Sequence, residues 1–205
     1  MKPILKTIPG YNTNEYLLVL TPHEELWNRI KKVKEEFAAT YQCDQAKWGR
    51  PHVTLTQFLQ YDMMEERILN RLRHIAMAQH PFKVELKDFG SFPSHTIYIN
   101  IPTKVPVQDL VKTIRTDTQR LMKLNEDNKP HFILEPHLTI ARKLLPWQYE
   151  KAWLEYNQRH FTGRFIADSM VLLKRATGEM KYRTAATFKF ENLPVATKQG
   201  ELFLI

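Results

Sequence analysis

Cysteine is almost absent from this chain of 205 residues, where Cys43 stands alone. A single thiol excludes an internal disulfide framework and any zinc site built on cysteines, and it suits a reducing compartment. Glycine is scarce too, with six residues. None falls in the spacing that cradles a phosphate, and no Gly-x-Ser-x-Gly turn presents a nucleophilic serine. No apolar run approaches the roughly 20 residues that a membrane-spanning helix needs. The opening Met1-Lys2-Pro3-Ile4-Leu5-Lys6 lacks the apolar segment and small-residue cleavage site of a secretory signal. A cytoplasmic globular protein is expected. Acidic residues are in deficit, 22 against 30 Lys and Arg, for a net charge of +8. That excess favours a polyanionic partner, although the cations are scattered rather than massed in one tail.

What the chain does have is a motif that occurs twice. Pro51-His52-Val53-Thr54-Leu55 is echoed 85 residues later by Pro136-His137-Leu138-Thr139-Ile140. In a strand, side chains alternate between faces. His52 and Thr54 therefore share one face while Val53 and Leu55 share the other. His137 and Thr139 are likewise separated from Leu138 and Ile140. Each copy presents an apolar side to a core and an imidazole with a hydroxyl to the opposite side. A third His-x-Thr, at His160-Phe161-Thr162, has no proline before it and runs into Gly163 at the end of a helical pattern, so it is set aside.

The element order repeats along with the motif. Strands are expected at 16–20, 52–58 and 82–89, with helices opening at Thr21-Pro22 and at Asp62 as caps. Strands at 95–101, 137–142, 165–174 and 181–190 follow, with helices opening near Pro106 and at Pro146. Shifting the first half by 85 residues lays strand on strand and helix on helix. This reads as one bilobal α+β domain over 1–205. It is a duplicated β-α-β-α-β unit, with repeats of about 15–94 and 95–190 and a tail of 191–205. Duplication implies a pseudo-two-fold axis, with the two histidine strands facing each other across it. It also supplies the two-fold that a homodimer would otherwise provide, so a monomer is expected.

Two imidazoles with unperturbed pKa values near 6.5 can divide proton work. A neutral one takes a proton from water and a protonated one gives a proton to a leaving oxygen. On opposite sides of a phosphorus they suit in-line displacement at a phosphodiester, with threonine hydroxyls donating to the non-bridging oxygens. One histidine per strand is a poor start for zinc, so neither metal nor cofactor is expected.

These residues resemble the two-histidine (2H) phosphoesterase superfamily, in particular the bacterial 2'-5' RNA ligase and RNA 2',3'-cyclic phosphodiesterase-like branch. The resemblance implies two antiparallel sheets facing a central groove with helices outside. It implies metal-independent hydrolysis of 2',3'-cyclic phosphates at RNA ends or on nucleotides. It makes His52 the acid and His137 the base, with Thr54 and Thr139 on the phosphoryl oxygens. Alternatives within its reach are 2'-5' ligation or 2'-5' phosphodiester cleavage, and a groove that binds RNA or nucleotide without turnover. An arginine five residues after the second histidine also belongs to the resemblance, and Arg142 stands there. Strand parity puts Arg142 on the face away from His137 and Lys143 on the histidine side, so either residue is a candidate cation. Phe58, which shares parity with His52, is a candidate to stack a base, as are Phe92 and Tyr182.

Overall fold

The computed structural model describes residues 11–93 and 95–193. Most of the expected tail, residues 194–205, lies outside the described residues. β1 (Thr13–Leu20) buries Tyr16, Leu18 and Leu20 on one side, as strand alternation requires. α1 (Glu24–Thr40) buries Leu26, Ile30 and Phe37 along one stripe. Thr21 does not cap it. The backbone stays extended through His23, and the helix opens without a side-chain cap. β2 (Val53–Tyr61) is the first histidine strand, with His52 just before it. Asp62, expected to cap the next helix, instead opens a short 3-10 turn, Asp62–Met64, and accepts a hydrogen bond from the buried Asn14 amide. Burial of that amide makes a partner obligatory, which takes the carboxylate away from the helix.

α2 (Glu65–Ala78), β3 (Phe82–Phe92) and β4 (Thr96–Asn100) follow. α3 (Lys104–Met122) and a two-residue strand β5 (His131–Phe132), which the sequence did not announce, lead to β6 (His137–Arg142), the second histidine strand. α4 (Pro146–Tyr156) opens at its proline as expected. The strand expected at 165–174 is two strands, β7 (Thr162–Ala167) and β8 (Ser169–Ala176), divided at Asp168. They part because β7 pairs with β3 while β8 pairs with β1. β9 (Arg183–Lys189) completes the set.

The fold is α+β. One hydrogen-bonded path runs β7-β3-β4-β6-β2-β1-β8-β9, with β5 attached to β2, nine strands among the described residues. Its two antiparallel halves, β7-β3-β4-β6 and β2-β1-β8-β9, meet through a single residue pair, Val53 and Leu138. α1 packs against β6, and α3 packs against β2. Each histidine strand thus rests on a helix from the other half of the chain. The buried Val53, Leu55, Leu138 and Ile140 join this core, which anchors the opposite faces that carry the histidines.

Candidate active site

Both histidines are held in the same way. His52 Nδ1 lies 2.7 Å from the Arg50 carbonyl oxygen, and His137 Nδ1 lies 2.8 Å from that of Glu135. A carbonyl oxygen only accepts, so Nδ1 carries the hydrogen in each ring and Nε2 is left with the titrating lone pair. The proline between histidine and carbonyl, Pro51 or Pro136, is buried in each case and stiffens the turn that makes this bond.

Antiparallel pairing of Val53 with Leu138 sets the neighbours on either side. His52 stands across from Thr139, and Thr54 stands across from His137. Both threonines are partly exposed on the groove. The structure therefore brings together the four residues that the repeated motif singled out.

Matching bulges then rearrange the residues after each motif. On β2, Leu18 of β1 pairs with Thr56 and Val19 with Thr54, so Leu55 is the extra residue. On β6, Ile97 of β4 pairs with Ala141 and Tyr98 with Thr139, so Ile140 is extra. A bulge inserts one residue and reverses the face of everything after it. Ile140 and Ala141 are consequently both buried, and Arg142 returns to the histidine face. Its charge is close enough to depress the titration of His52 and Lys34. Simple alternation had put it on the far side. Lys143 has left the strand with φ of 56° and is exposed.

The bulge on β2 sends Phe58 the other way. It is 3% exposed and stacks on Tyr16 with ring centroids 5.0 Å apart, so Phe58 is a core residue and not a groove aromatic. Gln57 takes the groove position instead. Its Nε2 donates to Glu15 Oε1 at 2.6 Å. Glu15 also accepts from Arg175 and from the Tyr182 hydroxyl. Burial pushes the Glu15 carboxyl up, but the hydrogen bonds from Tyr182 and Arg175 outweigh it and hold the group below its usual range. Tyr182 lies under the Arg175 guanidinium, 4.5 Å from its ring centroid, and is near enough to Arg142 to feel its charge. Tyr182 thus belongs to the groove wall, through a network rather than as a free ring.

Phe92 lies beside His137, the ring centroids 4.9 Å apart and nearly perpendicular, and Tyr98 lies 5.1 Å from the same imidazole. With Asn100, Lys104 and Glu135 they line a cavity of about 150 Å³ that opens on His137. Lys104 and Glu135 pair at 2.8 Å along it. Gly90 makes the wall possible, because a Cβ there would stand 2.5 Å from Asn100 Oδ1 and 2.6 Å from Tyr98 Cε2.

Sequence reasoning missed Lys34. It sits on the buried stripe of α1 between Ile30 and Phe37, and its ammonium reaches the carbonyls of Trp48 and Gly49 at 3.3 and 3.4 Å, in the loop entering His52. Burial pushes its pKa down to about 8, with repulsion from Arg142 adding to this. A lysine in an apolar helical stripe was the available signal. It missed Tyr98 and Gln57 as well. Only the 85-residue shift, which lays Gln57 on Arg142, could have found Gln57.

The two imidazoles differ in surroundings. Burial lowers the His52 pKa to about 4; the Arg50 carbonyl acts against it, and repulsion from Lys34, Arg142 and His137 adds to it. Burial also lowers His137, but the Glu135 carbonyl and carboxylate act against it. Both rings are depressed, His52 the more strongly, so the greater cost of protonation falls on the residue that the resemblance makes the acid. Among the described residues no three His, Cys, Asp or Glu side chains group closely enough to hold a metal ion, and no helix is long and apolar enough to cross a membrane.

The sequence model of the 2'-5' RNA ligase superfamily matches residues 22–179. Among curated proteins none matches the sequence. Solved structures share the fold. TT0787 of Thermus thermophilus superposes with a TM-score of 0.62 at 17% identity, covering 86% of this chain and 98% of its own. LigT of Escherichia coli complexed with 3'-AMP gives 0.60 at 15% identity, covering 87% and 98%. LigT in apo form gives 0.56 at 16%, with the same coverage. With a superfamily match over most of its length and its two histidine strands side by side, the chain belongs to the 2'-5' RNA ligase superfamily of two-histidine phosphoesterases.

Proposed function

We propose that this protein is a phosphodiesterase that hydrolyses 2',3'-cyclic phosphates of RNA ends or nucleotides by general acid-base catalysis, with His52 and His137 as the pair. One observation carries the reading. Both imidazoles are fixed by Nδ1–H to a backbone carbonyl, which leaves two Nε2 atoms as the titrating positions, each across from the other motif's threonine. In the reaction, water attacks phosphorus as its proton passes to the Nε2 of one neutral imidazole. The bond from phosphorus to one ribose oxygen breaks, and that oxygen takes the proton from Nε2 of the other, protonated imidazole. Thr54 and Thr139 donate to the non-bridging oxygens, and Arg142 offsets the charge that grows there.

A substrate phosphate held between the two rings is itself an anion, and an opposite charge within about 4–6 Å raises a histidine pKa. It thereby supplies the counter-charge that the cationic corner at His52 calls for. The cavity beside Phe92 and Tyr98 suits a nucleobase or ribose on the His137 side. The LigT complex holds 3'-AMP, and nucleotide chemistry of that kind fits this cavity. We read residues 15–94 and 95–190 as the duplicated units of one bilobal domain, since proline, carbonyl bond and bulge recur at matching places in both.

The test is hydrolysis of nucleoside 2',3'-cyclic monophosphates, with chelator present, by wild type, His52→Ala and His137→Ala. Turnover abolished in both variants supports the reading. Wild-type turnover that survives in either variant rejects the pair as catalysts. Activity confined to 2'-5' linked oligomers turns the same site to ligation or linear diester cleavage, and tight RNA-end binding without turnover turns it to a binding module.

A further inference from the structure

A second cavity, of about 460 Å³, lies between the last turns of α3 and the loop that enters β5. Arg115, Arg120, Lys123 and Lys129 line it, and the Phe132 ring forms part of its wall. Arg115 and Lys123 fall two helical turns apart, with Gln119 between them, so their side chains share one stripe. Arg120 lies beside that stripe, and Lys129 comes from the loop across it.

Some surface cations elsewhere among the described residues find carboxylates. Lys112 pairs with Asp109 at 2.9 Å, and Arg71 pairs with Asp117 at 3.6 Å. Here the only acid found in ion-pair contact, among the described residues, is Glu126, which is shared by Lys123 and Lys129. Arg115 and Arg120 have no carboxylate partner among the ion pairs found in the described residues. Four like charges around one concavity repel one another, and a solvated helix face has no need of that arrangement. A helix C-terminus tolerates one cation through its dipole, which accounts for Arg120 but not for the rest.

The pocket also stands close to the cleft. β5 pairs with β2 through Gln57 with His131 and Thr56 with Phe132. Gln57 faces the groove, so the exposed His131 lies on the groove side of this edge and Phe132 lies on the helix side. Two residues of strand rise and one inter-strand step put the Phe132 backbone roughly 8 Å from that of Thr54. A chain leaving the cleft over His131 reaches the pocket by turning round the β5 edge onto the helix face.

We propose that this pocket binds the phosphodiester backbone of the single-stranded RNA whose end occupies the cleft, with Arg115 and Arg120 on phosphate oxygens and Phe132 beside a base. The protein then acts on oligonucleotide ends in preference to free cyclic mononucleotides. The identity of the strand as RNA rests on the function proposed above; the cation pocket does not.

The experiment uses the full chain and a 5'-labelled RNA of about eight nucleotides ending in a 3'-phosphate. Binding is followed by fluorescence anisotropy across salt concentrations, for wild type, Arg115→Gln/Arg120→Gln and Arg115→Glu/Arg120→Glu. Affinity should fall about tenfold in the first variant and further in the second, and the salt slope should drop by roughly 0.7 for each phosphate released. The kcat/KM on an oligonucleotide with a 2',3'-cyclic end should fall in parallel, while turnover of a cyclic mononucleotide stays unchanged. If oligonucleotide affinity and salt slope are the same in all three proteins, the pocket is not an RNA site, whatever the cleft does. If the RNA binds with the expected dependence on both arginines but no cyclic phosphate is turned over, the pocket stands and the proposed reaction fails.

Discussion

Gln57 and Arg142 occupy matching places, each five residues after a motif histidine and each returned to the groove by a one-residue bulge, yet only one is charged. Gln57 gives its amide nitrogen to Glu15, which leaves its amide oxygen as an acceptor. The cleft is therefore electrostatically one-sided, with Arg142 and Lys34 forming a cationic corner beside His52.

Arg142 and Lys143 separate by their roles. Arg142→Ala should lower kcat/KM on a cyclic phosphate by about 10- to 100-fold, the usual scale for a charge-assisted contact to a developing oxyanion. Lys143→Ala, which removes an exposed side chain beyond the strand, should change it by less than about threefold. Steady-state kinetics of the two variants decide this, and a larger effect at Lys143 would return the cation to the residue that simple alternation favoured.

Lys34 holds a charge in a buried place without an acidic partner among its hydrogen bonds, which are to two carbonyls. Its pKa of about 8 lies below the unfolded value. The folded state therefore carries the cost of that charge at neutral pH and sheds it as pH rises past about 8. Lys34→Met should raise the unfolding free energy by about 1–3 kcal/mol at pH 7. It should also shift the acidic limb of the kcat/KM profile upward in pH, because removing a neighbouring cation makes His52 easier to protonate. Denaturant unfolding and a pH–rate profile on the same variant check both signs.

His52 gives the fold its own pH dependence. A buried neutral imidazole with pKa about 4, against about 6.5 when unfolded, means that the unfolded chain binds the proton first. Its contribution is complete above about 6.5 and is lost as pH falls toward 4. We expect on the order of 3 kcal/mol less stability at pH 4 in wild type than in His52→Phe, each relative to its own value at pH 7. Denaturant midpoints at the two pH values measure it.

A substrate that does not need an acid separates the two histidines. A nucleotide p-nitrophenyl phosphodiester expels a phenolate that leaves without a proton, so the variant lacking the general acid keeps most of its turnover while the variant lacking the base does not. One of His52→Ala and His137→Ala should be rescued. Rescue of His52→Ala keeps the order implied by the resemblance, and rescue of His137→Ala gives the order favoured by the free protein's electrostatics. Rescue of both would remove acid-base division from the mechanism.

Gly90→Ala tests the wall beside His137. A methyl group there meets Asn100 Oδ1 at 2.5 Å and the Tyr98 ring at 2.6 and 2.8 Å, and side-chain ends must move to admit it. The predicted outcome is a rise in KM of about 3- to 10-fold with a stability change under about 1.5 kcal/mol. An unchanged KM would mean that Tyr98 and Asn100 do not touch substrate.

Local chemistry made the motif legible. Alternation along a strand needs no partner, so His52 with Thr54 and His137 with Thr139 could be assigned to one face each, and the repeat placed both strands in one protein. The proline start of α4 is local as well, which is why it appears where the pattern put it. The bulges are not local. An extra residue at Leu55 or Ile140 is defined only against the strand opposite, and that one residue moved Arg142 into the groove and Phe58 into the core. Tertiary structure also decided that Lys34 lies against the loop of His52, that Phe92 and Tyr98 flank His137, and that β5 extends the edge of β2. Each of these depends on segments far apart in sequence, brought together by the burial of apolar faces, which no single stretch of the chain encodes.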